Sequence, residues 1–371
     1  MVEESKDAFY MQMALELARK GQGWTAPNPM VGAIIIKDGV IIGSGYHKRY
    51  GQLHAERNAL ASCTRSPQGA TLYVTLEPCC HYGKTPPCTE AILEAGIGRV
   101  VIGSADPNPL VAGKGAAILR QHGVTVTEGV LQDQCDKLNT VFFHYIQHKT
   151  PYVILKYAMM LDGKIATRAG LSKWITGEEA RYQVQLDRHR YSAIMVGVGT
   201  VLADDPLLTC RLPDCSTPTR IICDTRLRTP LTSQIVQTAR QVPTIIASSC
   251  TDEAQLAPYR QAGCQILLVP ERDGHVDLTL LMQELGRQHI DSVILEGGGT
   301  LNWAALQSGI VQKVQAYIAP KLFGGAEAKT PVEGSGIYSP DQTVQLSAPV
   351  VTQLGSDLLL ESEVISCLPE L

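Results

Sequence analysis

The stretch that decides the reading runs from His54-Ala55-Glu56 through Thr75-Leu76-Glu77-Pro78-Cys79-Cys80 to Pro86-Pro87-Cys88. His54-Ala55-Glu56 opens a helix pattern, Pro78-Cys79 closes a strand-to-helix turn, and Cys88 follows nine residues later. One imidazole and two thiolates make a three-ligand Zn²⁺ site with the fourth position open, as a catalytic zinc requires. His54, Cys79 and Cys88 are the candidate ligands. Glu56 would sit beside the metal without replacing a ligand, which suits a carboxylate that carries a proton to a departing amine. His-x-Glu with Pro-Cys-x-x-Cys is the signature of zinc nucleobase deaminases. The generic motif nevertheless fails here, because Cys80-His81-Tyr82-Gly83-Lys84-Thr85-Pro86-Pro87 separates the two cysteines.

Around this stretch, helix and strand patterns alternate. Phe9, Met13 and Leu17, with Tyr10 and Ala14 alongside, predict an opening helix. Residues 31–36 and 40–43 predict a hairpin across Lys37-Asp38-Gly39. Helices at 55–63, 89–95 and 115–122 alternate with strands at 71–75, 99–103 and 124–127. That order predicts a three-layer α/β domain with a mixed sheet. Residues 131–150 show no clear strand pattern, so a boundary is expected there, with domains at 1–148 and 149–371. A second α/β series follows, with strands at 152–157, 193–197, 219–223, 244–247, 265–269 and 292–295. Its helices fall at 178–188, 253–262 and 278–288, with Pro258 counting against the second. Further strands are expected at 314–319 and 358–364.

Composition narrows the class. The chain has 371 residues, 44% hydrophobic and 18% charged, which excludes a disordered or fibrous protein. Thirty-two basic against 36 acidic residues give a net charge of −4, without the footprint of a nucleic-acid binder. No apolar run reaches the ~20 residues that cross a bilayer, so no membrane partner is expected. The acidic start is unlike a signal peptide, and the expected compartment is the cytoplasm. Eleven cysteines, an odd number without a secretory leader, point to metal or catalytic use. The partner these features favour is a small-molecule substrate.

The second domain carries two glycine turns after strands, Gly197-Val198-Gly199-Thr200 and Gly297-Gly298-Gly299-Thr300. A glycine turn opening a helix lets a phosphate approach the backbone. Neither is the Gly-x-Gly-x-x-Gly dinucleotide fingerprint, and the second lies too late in the domain for that fold.

The first domain resembles the riboflavin-biosynthesis deaminase, which bacteria fuse to a reductase; the bifunctional family is RibD. Pro27-Asn28-Pro29-Met30-Val31-Gly32, His54-Ala55-Glu56, Thr75-Leu76-Glu77-Pro78-Cys79, His81 to Cys88 and Asp106-Pro107-Asn108-Pro109 carry the resemblance. The long insertion between the cysteines is a feature of that family, and Cys80 departs from its usual Ser. The second domain is similar to the family's reductase half. There the matching motifs are Lys156 to Lys164, Ser172-Lys173-Trp174-Ile175-Thr176, Thr200 to Pro206 and Glu296-Gly297-Gly298. Met159 and Met160 replace the smaller residues frequent in the family.

The resemblance implies a cytidine-deaminase-like three-layer α/β/α domain followed by a dihydrofolate-reductase-like α/β domain. It implies hydrolytic deamination of a diamino-ribosylamino-pyrimidinone phosphate, with Glu56 catalytic, then NADPH reduction of the deaminated ribosyl compound to its ribityl form. Asn28, His47, His81 and Lys84 are implied deaminase-substrate contacts. Ala158, Trp174, Thr200, Thr225 and the turn Gly298, Gly299, Thr300, Leu301, Asn302 match cofactor-contacting positions. Lys156, Ser172, Arg188, Asp204, Leu208, Arg211 and Glu296 match reductase-substrate positions. Arg188 and Arg211 are expected to fork a phosphate, while Lys156, Asp204 and Glu296 polarise the opened sugar and handle its proton. The family also implies a homo-oligomer formed through the reductase domain.

Two other readings stand beside this one. A base or tRNA deaminase with an accessory domain calls for a basic, aromatic surface, which the near-neutral composition opposes. A structural zinc beside a ligand sensor calls for four protein ligands, and three are apparent unless Cys80 joins them.

Overall fold

The computed structural model describes residues 2–83 and 85–366. The chain divides into two compact units, Met1–Lys149 and Thr150–Leu371. The first contains α1 (Val2–Arg19), β1 (Gly32–Lys37), β2 (Val40–Tyr46), α2 (Ala55–Ala61), β3 (Thr71–Leu76) and α3 (Cys88–Glu94). It continues with β4 (Arg99–Ser104), α4 (Lys114–Gln121), β5 (Thr125–Thr127), α5 (Gln132–Leu138) and α6 (Thr140–His148). The sheet order is β2-β1-β3-β4-β5. β1 runs antiparallel to both neighbours, whereas β3, β4 and β5 are parallel. Asp38 and Gly39 both take positive φ, 52° and 75°, as a two-residue hairpin with right-handed strand twist demands.

Period-two alternation makes the three layers. Ile34, Ile36, Tyr73 and Val101 face Met11, Ala14 and Leu15 of α1 and Cys135 of α5. Ile35, Leu72, Val74, Val100 and Ile102 face the other way, onto α2, α3, α4 and Phe142 of α6. The opening helix is as expected, but its buried face is Met11, Ala14, Leu15 and Ala18, while Phe9 is 62% exposed. Small residues at 14 and 18 let the helix backbone approach β1 more closely than a Phe9–Met13–Leu17 face could.

The passage at 131–150 is two helices, α5 and α6, and belongs to the first unit. Asn139 lies at their junction, and its side chain accepts from the Met30 N–H at 2.9 Å and donates to the Met30 carbonyl at 3.0 Å. That pair of bonds ties the junction to the loop entering β1.

The second unit begins with β6 (Tyr152–Met160), α7 (Glu178–Arg190), β7 (Ala193–Gly197), α8 (Val198–Asp204), β8 (Thr219–Cys223) and α9 (Gln234–Gln237). Next come β9 (Thr244–Ser248), α10 (Glu253–Ala262), β10 (Gln265–Leu268), β11 (Glu271–Arg272), β12 (His275–Val276) and α11 (Leu278–Arg287). It closes with β13 (Ser292–Leu295), α12 (Gly299–Gln307), β14 (Val311–Ala319), β15 (Gln345–Leu346), β16 (Val350–Leu354) and β17 (Asp357–Ser366). The large sheet runs β10-β9-β8-β7-β13-β6-β14-β17-β15, with β16 paired to β17 and β11–β12 separate. It is parallel from β10 to β14, and β17 is antiparallel to β14. Central strands covered on both faces read as unbroken apolar runs, as Ala193 to Val196 does. α10 persists through Pro258, held at its start by Asp252 accepting from the Ala254 N–H and closed by Gly263 at φ 102°.

Gly32 gives the fold a sharp test. A Cβ there would lie 1.9 Å from the Ala14 carbonyl oxygen and 2.8 Å from the Ala18 nitrogen, both backbone atoms of α1. Gly32→Ala is expected to destabilise the first unit by about 3 kcal/mol, the upper end for overpacking, measured as a lower urea midpoint at unchanged slope.

Candidate active sites

In the first unit, two short helices start at the same place. His54 is the N-cap of α2, Cys88 is the first residue of α3, and Cys79 lies just beyond β3. The three ligand atoms lie within 4.8 Å of one another. His54 Nδ1 is 3.5 Å from both the Cys79 and the Cys88 sulfur. A tetrahedral zinc at ordinary bond lengths holds its nitrogen and sulfur ligands about 3.5 Å apart, so these residues fit the metal. The Cys80 thiol points instead to the Leu110 carbonyl, 3.7 Å away. Hydrogen bonding from Cys88, with help from His54, pulls the Cys79 thiol well below its usual range despite burial. Glu56, 3% exposed, is pushed up to about 7 by burial first and by the neighbouring Cys79 second. A carboxyl poised there can both take and return a proton at neutral pH.

The group opens onto a cavity of about 300 Å³ whose lining includes Asn28, His47, Glu56 and His81. His47 Nδ1 faces the Leu53 carbonyl at 3.1 Å, which makes Nδ1 the protonated nitrogen and Nε2 the acceptor for Asn28 Nδ2 at 3.3 Å. Burial, foremost, lowers the pKa of His47, so it stays neutral. His81 Nδ1 is buried without a protein partner. Lys84 lies outside the described residues.

Several residues of this site carry no role in the motif reading. Glu77 accepts from the N–H groups of Gly113 at 2.9 Å, Ala116 at 3.1 Å and Asp106 at 3.4 Å. It thereby anchors the Pro78-Cys79 turn to the start of α4. Gly115 allows that approach, since a Cβ there would lie 2.2 Å from the Pro78 oxygen. Asp106 lines the cavity, and burial raises its carboxyl to about 6. Phe142, Tyr145 and Ile146 of α6 form an apolar wall. Their helical spacing is the signal that could have revealed them.

In the second unit, the candidate residues collect at the carboxyl ends of parallel strands, where open α/β sheets bind ligands. Leu155 of β6 pairs with Leu295 of β13, so the residues that follow, Lys156 and Glu296, become neighbours at 3.7 Å. Arg188 of α7 donates to both Glu296 oxygens, from Nε at 3.1 Å and Nη2 at 2.9 Å. Burial opposes ionisation of Glu296, yet Arg188 and then Lys156 outweigh it and hold the carboxyl down at about 2. Arg188 and Arg211, expected to fork a phosphate, have different surroundings. The Arg188 fork grips Glu296, and its Nη1 donates to the Thr209 carbonyl at 3.2 Å. Arg211 remains exposed.

Ser172 donates to Asp204 at 3.5 Å, bringing those two together. Leu208 is buried at φ 52°. The preceding carbonyl, of Leu207, accepts from Arg220 Nη1 at 3.2 Å. Arg220 is fully buried, with further bonds to Thr238, Thr244, Ile235 and Val242, so it is a hidden support of the Leu208 loop.

The two glycine turns lie side by side at the starts of α8 and α12. A Cβ on Gly298 would come 3.9 Å from Thr200 Oγ1, and one on Gly197 would lie 3.7 Å from Leu301 Cδ2. Gly199 has nothing within 4 Å of that position, which leaves its backbone open to a ligand. Asn302 is buried, with Nδ2 bonded to the Pro331 carbonyl at 2.7 Å and Oδ1 lacking a protein donor. Open glycine backbone and helix starts fit the phosphates of a dinucleotide, and the orphaned Asn302 acceptor fits one of its hydroxyl or amide donors. Gly299 has another reason to be glycine: a Cβ would meet Glu333 Cγ at 2.5 Å. Thr300 is exposed beside it. Thr225, just past β8, accepts from the Val276 N–H at 3.1 Å. Ala158 is half-buried on β6, and Trp174 is exposed under the Arg181 guanidinium, 4.9 Å from its ring.

Residues 151–360 match the family described as RibD C-terminal domain. Residues 4–104 match the cytidine and deoxycytidylate deaminase zinc-binding region. The chain is 56% identical to the riboflavin biosynthesis protein RibD of Actinobacillus pleuropneumoniae over 97% of its own length and 96% of the relative's. The chain belongs to the RibD family. The RibD of Escherichia coli K12 is 42% identical over 86% of this chain and 89% of its own. Among solved structures, Acinetobacter baumannii RibD superposes with a TM-score of 0.88 at 39% identity, covering 98% of this chain and 100% of that one. The Thermotoga maritima diaminohydroxyphosphoribosylaminopyrimidine deaminase/5-amino-6-(5-phosphoribosylamino)uracil reductase gives 0.86 at 38% identity, covering 98% and 99%. The two units are thus a deaminase-type zinc-binding domain and a RibD-type reductase domain, and the protein is a bifunctional enzyme of riboflavin biosynthesis.

Glu77 is the positioning residue to test. Glu77→Ala leaves the Gly113, Ala116 and Asp106 N–H groups without their acceptor and frees the Cys79 turn. Zinc affinity is expected to fall about 10- to 100-fold, read by competition with a chromophoric chelator.

Proposed function

We propose that the first unit deaminates a diamino-ribosylamino-pyrimidinone phosphate and that the second reduces the product's ribosyl group to ribityl with NADPH. The observation that carries the first half is the His54–Cys79–Cys88 cluster beside a buried, proton-poised Glu56 at the cavity wall. Zinc held by those three residues supplies the Lewis acidity that makes a water nucleophilic near neutral pH. Glu56 takes the proton of the attacking water and passes it to the departing ammonia. Asn28 and neutral His47 orient the polar edge of the ring, His81 offers a free ring nitrogen, and Lys84 is assigned to the substrate phosphate.

In the reductase half, NADPH supplies the hydride, and its phosphates belong at the paired turns of Thr200 and Gly298–Asn302. Lys156 and Asp204 polarise the opened sugar and handle its proton, with Glu296 fixing the charge around Lys156. Arg188, held by Glu296, and the exposed Arg211 are assigned to the substrate phosphate. Among the described residues no helix is long and apolar enough to cross a membrane. Val350, Val351 and Ile365, exposed along β16 and β17, support self-association through this half.

Glu56→Gln keeps the side chain's size and removes its proton transfer. Ammonia release should fall about 10²–10⁴-fold while zinc content stays parental; near-normal release from the zinc-loaded variant would overturn the mechanism. In the other half, Asp204→Asn or Glu296→Gln should lower NADPH oxidation with predeaminated substrate and leave ammonia release intact. Loss of deamination with reduction spared would reverse the assignment of the units.

A further inference from the structure

Lys156 has two neighbours, and one helix holds both. On one side is the Glu296 carboxylate, already gripped by the Arg188 fork, so the Lys156 ammonium stays 3.7 Å away. On the other is the ring of Tyr317 on β14, whose centroid lies 5.5 Å from Lys156 Nζ, within cation–π range. Tyr317 pairs in register with Ala158, two residues beyond Lys156 on the same face of β6. Its side chain is wholly buried, packed with Ala180 and Leu359, and its hydroxyl donates to Asp187 Oδ2 at 3.0 Å. Asp187 is itself buried, and its other oxygen accepts from Gln183 at 3.3 Å. Asp187 and Arg188 are consecutive on α7. The helix therefore supplies one residue to fix the ring and the next to fix the carboxylate.

We infer that Tyr317 is a positioning residue for reduction: its ring, anchored by Asp187, holds the Lys156 ammonium where it meets the substrate. The inference rests on the assignment of Lys156 to the reductase site. The physical case is that Lys156 has a flexible stem and a point charge, and its partner carboxylate, gripped by a bidentate arginine, lies 3.7 Å away. A half-buried ammonium so placed needs a second fixed surface. An aromatic face provides one without neutralising the charge or competing for its protons. A misplacement of about 1 Å is enough to cost about 100-fold in rate.

The test uses the full-length enzyme, NADPH and predeaminated substrate, with ammonia release and the thermal midpoint measured alongside. Tyr317→Met should lower kcat for reduction about 10- to 100-fold with KM for substrate and NADPH little changed. Tyr317→Phe, which keeps the ring but loses its bond to Asp187, should fall between Tyr317→Met and the parent. A folded Tyr317→Met with parental kcat overturns the inference, and so does a Tyr317→Phe as damaged as Tyr317→Met. Should Tyr317→Met fail to fold, Asp187→Ala decides: a kcat loss at constant KM supports the inference and an unchanged kcat overturns it. Lys156→Met separates the two levels. If it reduces at the parental rate, the assignment of Lys156 itself is wrong; if it is inactive while Tyr317→Met is normal, only the role of Tyr317 falls.

Discussion

A parallel strand can hand its chain to a helix only at its carboxyl end, and the helix that follows begins with free N–H groups. Both units depend on that constraint. In the first, the chain leaving β3 carries Cys79 to a point where α2 and α3 also begin, so His54 and Cys88 arrive at helix starts. In the second, β7 and β13 are neighbours in the sheet, and α8 and α12 therefore begin beside each other. Helix starts favour anions, and the proposed zinc and cofactor sites both lie at them.

Two largely enclosed carboxylates show how the same chain sets opposite proton affinities. Glu56 and Glu296 both lose water. Glu56 faces a thiolate and rises to about 7, whereas Glu296 faces Arg188 and Lys156 and falls to about 2. One carboxyl lies between its two forms near neutral pH, and the other is held ionised. The reductase residues around Glu296 thus form a held frame, with α7 as its outer clamp and Lys156 between the Glu296 carboxylate and the Tyr317 ring. Arg220 frames the neighbouring loop, its guanidinium satisfied by carbonyl and hydroxyl oxygens of its surroundings.

Much of this was legible without coordinates, for identifiable reasons. Strand and helix positions followed from period-two and period-3.6 patterns, and the hairpin from Asp38-Gly39. The His54–Cys79–Cys88 cluster was legible as a candidate metal site because few residue types bind zinc. Residues 131–150 were opaque as structure because short amphipathic helices resemble a polar linker, and Phe142 and Tyr145 gain meaning only once they face the cavity. Phe9 misled for a related reason: size marked it as core, but close approach to Gly32 selected the face bearing Ala14 and Ala18.

By itself the sequence determined the kinds of chemistry present and the local elements that carry them, since both depend on residue type and near spacing. Tertiary structure decided which groups meet across long separations. It turned the Arg188 fork toward Glu296, 108 residues away, set Asp187 against Tyr317 at a separation of 130, and joined Glu77 to α4. Those pairings rest on strand register and helix placement, which no local pattern encodes, and they determine whether each charge is a reactant or a support.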